Sequence, residues 1–184
     1  MRILGISGSL RRDSHNTALL RAAAELLPPG VELELFDGLK AIPPYDADED
    51  APELHGSAVQ ALKDAIERAD AVLIATPEYN HSIPGVLKNA LDWASRPAGN
   101  SVLRGKPAAV VGASTGLFGA VWAQAEVRKV LVATGAVVVD RELPVMPAHL
   151  QFDEYGNVHE EDLRGQLAEH VAALVDAARE KVAA

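Results

Sequence analysis

Runs of almost unbroken Ala, Val, Ile and Leu at 71–76, 108–114 and 136–140 restrict this chain more than any other feature of its sequence, and residues 2–7 (RILGIS) share their character. A strand with one wet face alternates apolar and polar residues. A run apolar throughout needs cover on both faces, as in a parallel sheet packed between helices. The segment 31–36, VELELF, alternates instead, with Glu32 and Glu34 set among apolar neighbours, which suits an edge strand guarded by charge. Amphipathic stretches separate these runs. Leu19, Leu20, Ala23, Leu26 and Leu27 share one helical face ended by Pro28-Pro29-Gly30, and Ala58, Val59, Leu62 and Ile66 form a second stripe. Val86, Leu87, Ala90 and Leu91 form a third, and residues 118–134 a fourth helix with Gly135 as its stop. Leu163, Leu167, Val171, Leu174, Val175 and Ala178 complete the set. Five βα units with right-handed crossovers predict an α/β doubly wound parallel five-stranded sheet of order 2-1-3-4-5, with helices on both faces.

Composition narrows the function. The formal net charge of −9 repels a phosphate backbone, so no nucleic acid is expected as a partner, and any anionic ligand needs a local binding device. No apolar run reaches the roughly 20 residues of a membrane span. MRILGIS reads as a strand and not as an export signal, which places the protein in the cytoplasm by expectation. Without cysteine there is no disulfide framework, thiolate metal site or cysteine nucleophile. Two long irregular stretches, 37–52 and 141–158, carry Pro43, Pro44 and Pro52, and Pro144 and Pro147. The acidic cluster Asp46, Asp48, Glu49 and Asp50 lacks the spacing of a calcium loop, and no metal is expected.

In such a sheet, ligands bind beyond the C-terminal strand ends at the switch point between the first and third strands. Three loops meet there. In SGSLRRDSHNT, Gly8 removes bulk at the turn, and Ser9, Ser14, Asn16 and Thr17 offer short donors. Arg11 adds a cation able to grip phosphate with two bonds, and the opening of a helix adds backbone N–H groups. The alternative is a polar loop with Ser14 or Asn16 as a plain helix cap. The loop is neither G-x-G-x-x-G nor a Gly-Lys-Ser/Thr phosphate loop. In TPEYNHSIPG, Pro77 ends the third strand, and Glu78, Tyr79, Asn80, His81 and Ser82 crowd the mouth. A flat heteroaromatic ring suits this place, with Asn80 at its edge and Tyr79 over one face. The third loop, GASTGLFG, carries Ser114, Thr115 and Gly116.

GSLRRDSHN together with PEYNHSIPGVLKNALDW resembles the NADPH-dependent FMN reductase family, which includes quinone, azo-dye and chromate reductases of flavodoxin-like fold. The similarity continues through GASTGLFGAVWAQAEVRKVL and covers most of the chain. It implies one flavodoxin-like FMN-binding domain over 1–184, with the FMN phosphate in the loop 9–17 and the isoalloxazine ring against 77–82. Ser114, Thr115 and Gly116 would line the pyrimidine side. It further implies NAD(P)H as donor, quinones as acceptors with azo dyes or metal oxyanions besides, and a homodimer or homotetramer. No side chain is required as a nucleophile, because the flavin carries the chemistry. The family often has a glycine and an arginine where this chain has Ala120 and Trp122, which leaves the preferred nicotinamide and the assembly state open.

Two other functions fit parts of the pattern. Gly112-Ala113-Ser114-Thr115-Gly116 matches the G-x-S-x-G of a serine hydrolase, with Asp140 and His149 or His159 in permissible order, yet no HGGG-like segment accompanies it. A flavodoxin-type electron carrier would share the sheet and the FMN site but use no NAD(P)H.

Overall fold

The computed structural model describes residues 1–153 and 155–183. Its strands are β1 (Arg2–Ser7), β2 (Glu32–Phe36), β3 (Ala71–Ala75), β4 (Pro107–Ala113), β5 (Val137–Val138) and β6 (Pro144–Val145). The helices are α1 (His15–Glu25), α2 (Ser57–Arg68), α3 (Gly85–Ala94), α4 (Val121–Ala133) and α5 (Glu161–Ala183). The sheet is parallel, of order β2-β1-β3-β4-β5, as expected. Alternate residues of the central strands feed two cores. Ile3, Leu73, Ala109 and Val111 pack with α1 and α5, whereas Leu4, Ile6, Val72, Ile74 and Val110 pack with α2, α3 and α4. β2 lies at the edge with Glu32 and Glu34 exposed, as its alternation requires.

Two boundaries differ from the sequence reading. The fifth sheet position is filled twice: β5 pairs Val137 and Val138 with the start of β4, and β6 pairs Pro144 and Val145 with Gly112 and Ala113. The intervening chain bends outward because α4 holds it there. Arg128 donates to the Arg141 carbonyl at 3.1 Å and pairs with the Glu142 carboxylate, and Gln124 Oε1 accepts from the Leu143 N–H at 3.2 Å. Likewise α4 starts at Val121 and not at 118, because Gly119 and Ala120 take left-handed φ values of 56° and 61°. Gly119 tolerates no side chain there, since a Cβ would lie 2.7 Å from Pro144.

His170 sits on α5, 2 % exposed, with Nε2 unpartnered. Burial, then the Arg141 guanidinium, push its pKa down to about 4, against an opposing contact with the Val110 backbone. Below pH 6.5 the unfolded chain takes up a proton that the folded protein refuses until about pH 4. Stability therefore falls as pH drops across that interval, by about 3 kcal/mol in all. Urea titrations from pH 7 to 4 should show this slope, and His170→Leu should remove the corresponding part of it.

Candidate functional site

β1, β3 and β4 end side by side, and the three loops leaving them enclose a cavity of about 250 Å3. Gly8 marks their closest approach. Its N–H donates to the Ala75 carbonyl at 2.8 Å, and a Cβ there would meet Leu87 at 2.9 Å and Pro77 at 3.2 Å. A larger cavity of about 480 Å3 lies elsewhere, between the ends of α3 and α4 around Arg96, Arg104 and Gly135. None of the three loops lines it, so the switch-point rule favours the smaller one.

The first loop contributes Ser9, Arg11, Ser14 and Asn16 to the cavity. Ser14 is the N-cap of α1, its hydroxyl accepting from Thr17 N–H at 3.4 Å. The first helical N–H groups, those of His15 and Asn16, stay available to an anion. Arg11 donates one Nη2 bond to the Asp13 carbonyl and keeps its remaining donors at the cavity. Thr17 stands behind this wall, its hydroxyl donating to Ser7 Oγ at 2.8 Å. Asn16 lines the cavity and is also tied to β4. It is 3 % exposed, its Nδ2 donates to the Ala113 carbonyl and its Oδ1 accepts from the Ala113 N–H, both at 2.9 Å. Its amide thus locks the start of α1 to the end of β4.

From the second loop, Pro77, Glu78 and Tyr79 line the cavity, while Asn80, His81 and Ser82 lie beyond it. Tyr79 and Ser82 exchange backbone bonds of 3.2 and 3.1 Å around Asn80 and His81, whose φ values of 53° and 59° suit a type I′ turn. The N–H groups of Tyr79 and Ser82 are therefore consumed within the turn. α4 carries this turn. Glu78 Oε2 accepts from Trp122 and Ala123 N–H, both at 3.1 Å, and Ser82 Oγ donates to Glu126. His81 packs edge-on against Trp122 with centroids 4.7 Å apart, so Trp122 serves as a support for the loop. Glu78 is a helix cap first, since Ala120 provides none.

Ser114 and Thr115 complete the lining, and Gly116 lies outside it. Ser114 N–H donates to the Val145 carbonyl, and Gly116 N–H donates to Ser114 Oγ at 3.1 Å. No imidazole bonds that hydroxyl among the described residues, contrary to the needs of a hydrolase. Sequence reasoning missed His15 and Ala113, which also line the cavity. His15 could have been found as the first residue after the Ser14 cap, whereas nothing local marks Ala113. Burial, then Arg11 and His149, hold the His15 pKa below the usual imidazole range.

Residues 1–149 match the family of NADPH-dependent FMN reductases. The chain belongs to that family. It is 43% identical over 175 residues to the NAD(P)H-dependent FMN reductase of Pseudomonas aeruginosa, covering 95% of this chain and 93% of that one. It is also 43% identical to a 2-hydroxy-1,4-benzoquinone reductase of a Burkholderia species, over 91% of this chain and 90% of the relative. The solved flavoenzyme FerB of Paracoccus denitrificans, an NAD(P)H:acceptor oxidoreductase, superposes with a TM-score of 0.85 at 39% identity, over 97% of each chain. Family membership makes this an enzyme that uses FMN and NAD(P)H, and sets aside both the hydrolase and the carrier.

Truncating Asn16 leaves the Ala113 N–H and carbonyl unpaired in the interior. At about 1–3 kcal/mol for each of these two groups, Asn16→Ala should lower unfolding free energy by about 2–6 kcal/mol, read by urea denaturation.

Proposed function

We propose that the cavity at the switch point holds FMN and that the chain is an NAD(P)H oxidoreductase delivering electrons to quinone-type acceptors. The observation that carries this is the convergence of Arg11, Ser9, Ser14 and the opening of α1 on one side, and of Tyr79 and Thr115 on the other. The first group fits a phosphate monoester, because it joins a guanidinium to hydroxyls and free helical N–H groups. The second fits the edge and face of a flat ring, because Tyr79 is 55% exposed and the Thr115 N–H remains free of the bonds that engage its neighbours. Among residues 78–82, Asn80 and His81 keep backbone N–H groups beyond the turn's own pairing. FMN bound there would supply the two-electron hydride chemistry between NAD(P)H and the acceptor. The protein's share is to bind, orient and shield. Asn16 and Gly8 fix the spacing of the loops, while Glu78 and Ser82 fix the turn on α4.

Quinones are the acceptors that best suit an open shelf. Azo dyes and metal oxyanions would reach it equally. The whole of 1–184 serves as one FMN-binding domain in this reading. Leu117, Phe118 and Trp122, exposed by 79%, 55% and 40%, continue the shelf as an apolar surface, which favours a homodimer or homotetramer closed over the site. Among the described residues no helix is long and apolar enough to cross a membrane, and a cytoplasmic site of action agrees with NAD(P)H as donor.

Arg11→Ala should weaken FMN about tenfold to hundredfold and leave riboflavin, which lacks the phosphate, nearly unchanged. Arg11→Lys should recover only part of the loss, because an ammonium cannot reproduce the two-pronged contact. Flavin fluorescence quenching reads both. Equal weakening of FMN and riboflavin would show that Arg11 supports the loop and not the phosphate. Steady-state rates with NAD(P)H and a benzoquinone should give parallel double-reciprocal lines, as two substrates sharing one shelf require, whereas intersecting lines would demand separate sites.

A further inference from the structure

Residues 37–56, which join β2 to α2, line no part of the flavin cavity, yet they close over a group of largely buried titratable side chains. Two residues of α3 hold this strap. Asn89 Nδ2 and Trp93 Nε1 donate to the Pro43 carbonyl at 2.8 and 2.9 Å, and Asn89 Oδ1 accepts from the Tyr45 N–H at 2.8 Å. Both belong to the motif LKNALDW, so these two motif residues serve the strap. The tie to α2 is of another kind. Lys63 is 5% exposed and the His55 side chain 1%, and Lys63 Nζ lies 3.2 Å from His55 Nδ1.

An ammonium can only donate, so His55 Nδ1 accepts and the neutral ring carries its proton on Nε2. That Nε2 faces Asp50 Oδ1 across 3.9 Å, too far for a hydrogen bond, and both atoms are buried without a hydrogen-bond partner. A donor and an acceptor left facing each other in this way are each costly. The other Asp50 oxygen accepts from the Tyr45 hydroxyl at 3.4 Å. Trp93 stands edge-on to the His55 ring, with centroids 5.4 Å apart. The charged groups around His55 are Asp50 on the strap, Lys63 with Glu67 behind it on α2, and Arg96 beyond the end of α3, whose guanidinium lies 5.1 Å over the Tyr45 ring. Burial holds the Lys63 pKa below the ordinary lysine range, against the pull of Asp50 and Glu67.

We propose that His55 is an acid-sensing toggle on the strap. Neutral, it fastens the strap to Lys63 on α2; protonated, it leaves Lys63, closes on Asp50 and frees the end of the strap from α2. A proton added at Nδ1 sets two donors and two positive charges face to face where a hydrogen bond stood. The same proton strengthens the pull of Asp50 on Nε2, so the departing ring has a partner ready across the gap. Imidazole is the side chain whose charge ordinarily changes in mild acid. The inference does not rest on the flavin reading, because none of these groups lines that cavity.

Nitrogen NMR of the imidazole groups in the FMN-loaded protein reads the ring directly. At about pH 7.5, above the imidazole range, His55 should carry its proton on Nε2. Lys63→Met, which keeps an unbranched side chain without the charge, should move the midpoint of the His55 titration to higher pH, and Asp50→Asn should move it lower. The Leu54 amide, bonded to the Ala51 carbonyl at 2.8 Å, adjoins His55 and reports on the strap. Corrected for the intrinsic effect of pH, its hydrogen exchange should speed up about tenfold to hundredfold as His55 titrates, the factor for losing a hydrogen bond to a charged group. Lys63→Met should abolish that pH dependence. A neutral ring protonated on Nδ1, midpoints that the two variants leave unmoved or move in the same direction, or Leu54 exchange unchanged while His55 titrates would each overturn the toggle.

Discussion

The ligand crevice depends on a rung that the sheet itself cannot supply. β3 ends at Ala75, and Pro77 carries the chain away, so the Ala113 N–H and carbonyl on that side of β4 have no strand partner. The side chain of Asn16 fills the place of the missing strand, donating one bond and accepting the other at 2.9 Å. A buried amide pair of this kind is expensive to lose and directional, so it sets position as well as stability. Through it the first turn of α1 is tied to the end of β4. On the opposite flank, Ser114 N–H and carbonyl are taken by Val145 and Ala148, which clamps the same loop from β6.

Hydrogen bonding also decides which groups are left for a ligand. The turn 79–82 consumes two of its own N–H groups, and α4 takes the Glu78 carboxylate and the Ser82 hydroxyl. What stays open is a small set: the first N–H groups of α1, the Thr115 hydroxyl, most of the Arg11 guanidinium, and the Tyr79 ring. These are groups of two chemistries, anionic recognition at one end and aromatic contact at the other. A free carboxylate lining the same cavity would oppose an anionic ligand. Glu78 does not, because its charge is spent on the start of α4, where the helix dipole is positive.

Strand order, the two core layers and the edge position of β2 were all legible in the sequence, because burial on both faces and burial on one face write different periods into a strand. The interruption of the fifth strand was not. Val139 still donates to the Ala108 carbonyl, so the apolar run 136–140 looks continuous, and only Arg128 and Gln124 from α4 draw the following residues off the edge. The late start of α4 was equally hidden, since Ala120 has high helix propensity and adopts a left-handed conformation only because of what surrounds it.

By itself the sequence determined the α/β class, the meeting of three loops at one end of the sheet, and a family whose motifs stand in those loops. These follow from local pattern and chain order. Only the tertiary structure decided which polar residues in the loops face the ligand and which hold the scaffold. Asn16, Glu78, Ser82 and Trp122 stand within or beside motifs that read as ligand-binding, yet their side chains are engaged with Ala113, α4 and His81. The physical reason is that a polar side chain serves whichever unpaired partner lies nearest in space, and for Asn16 that partner is 97 positions away in the chain.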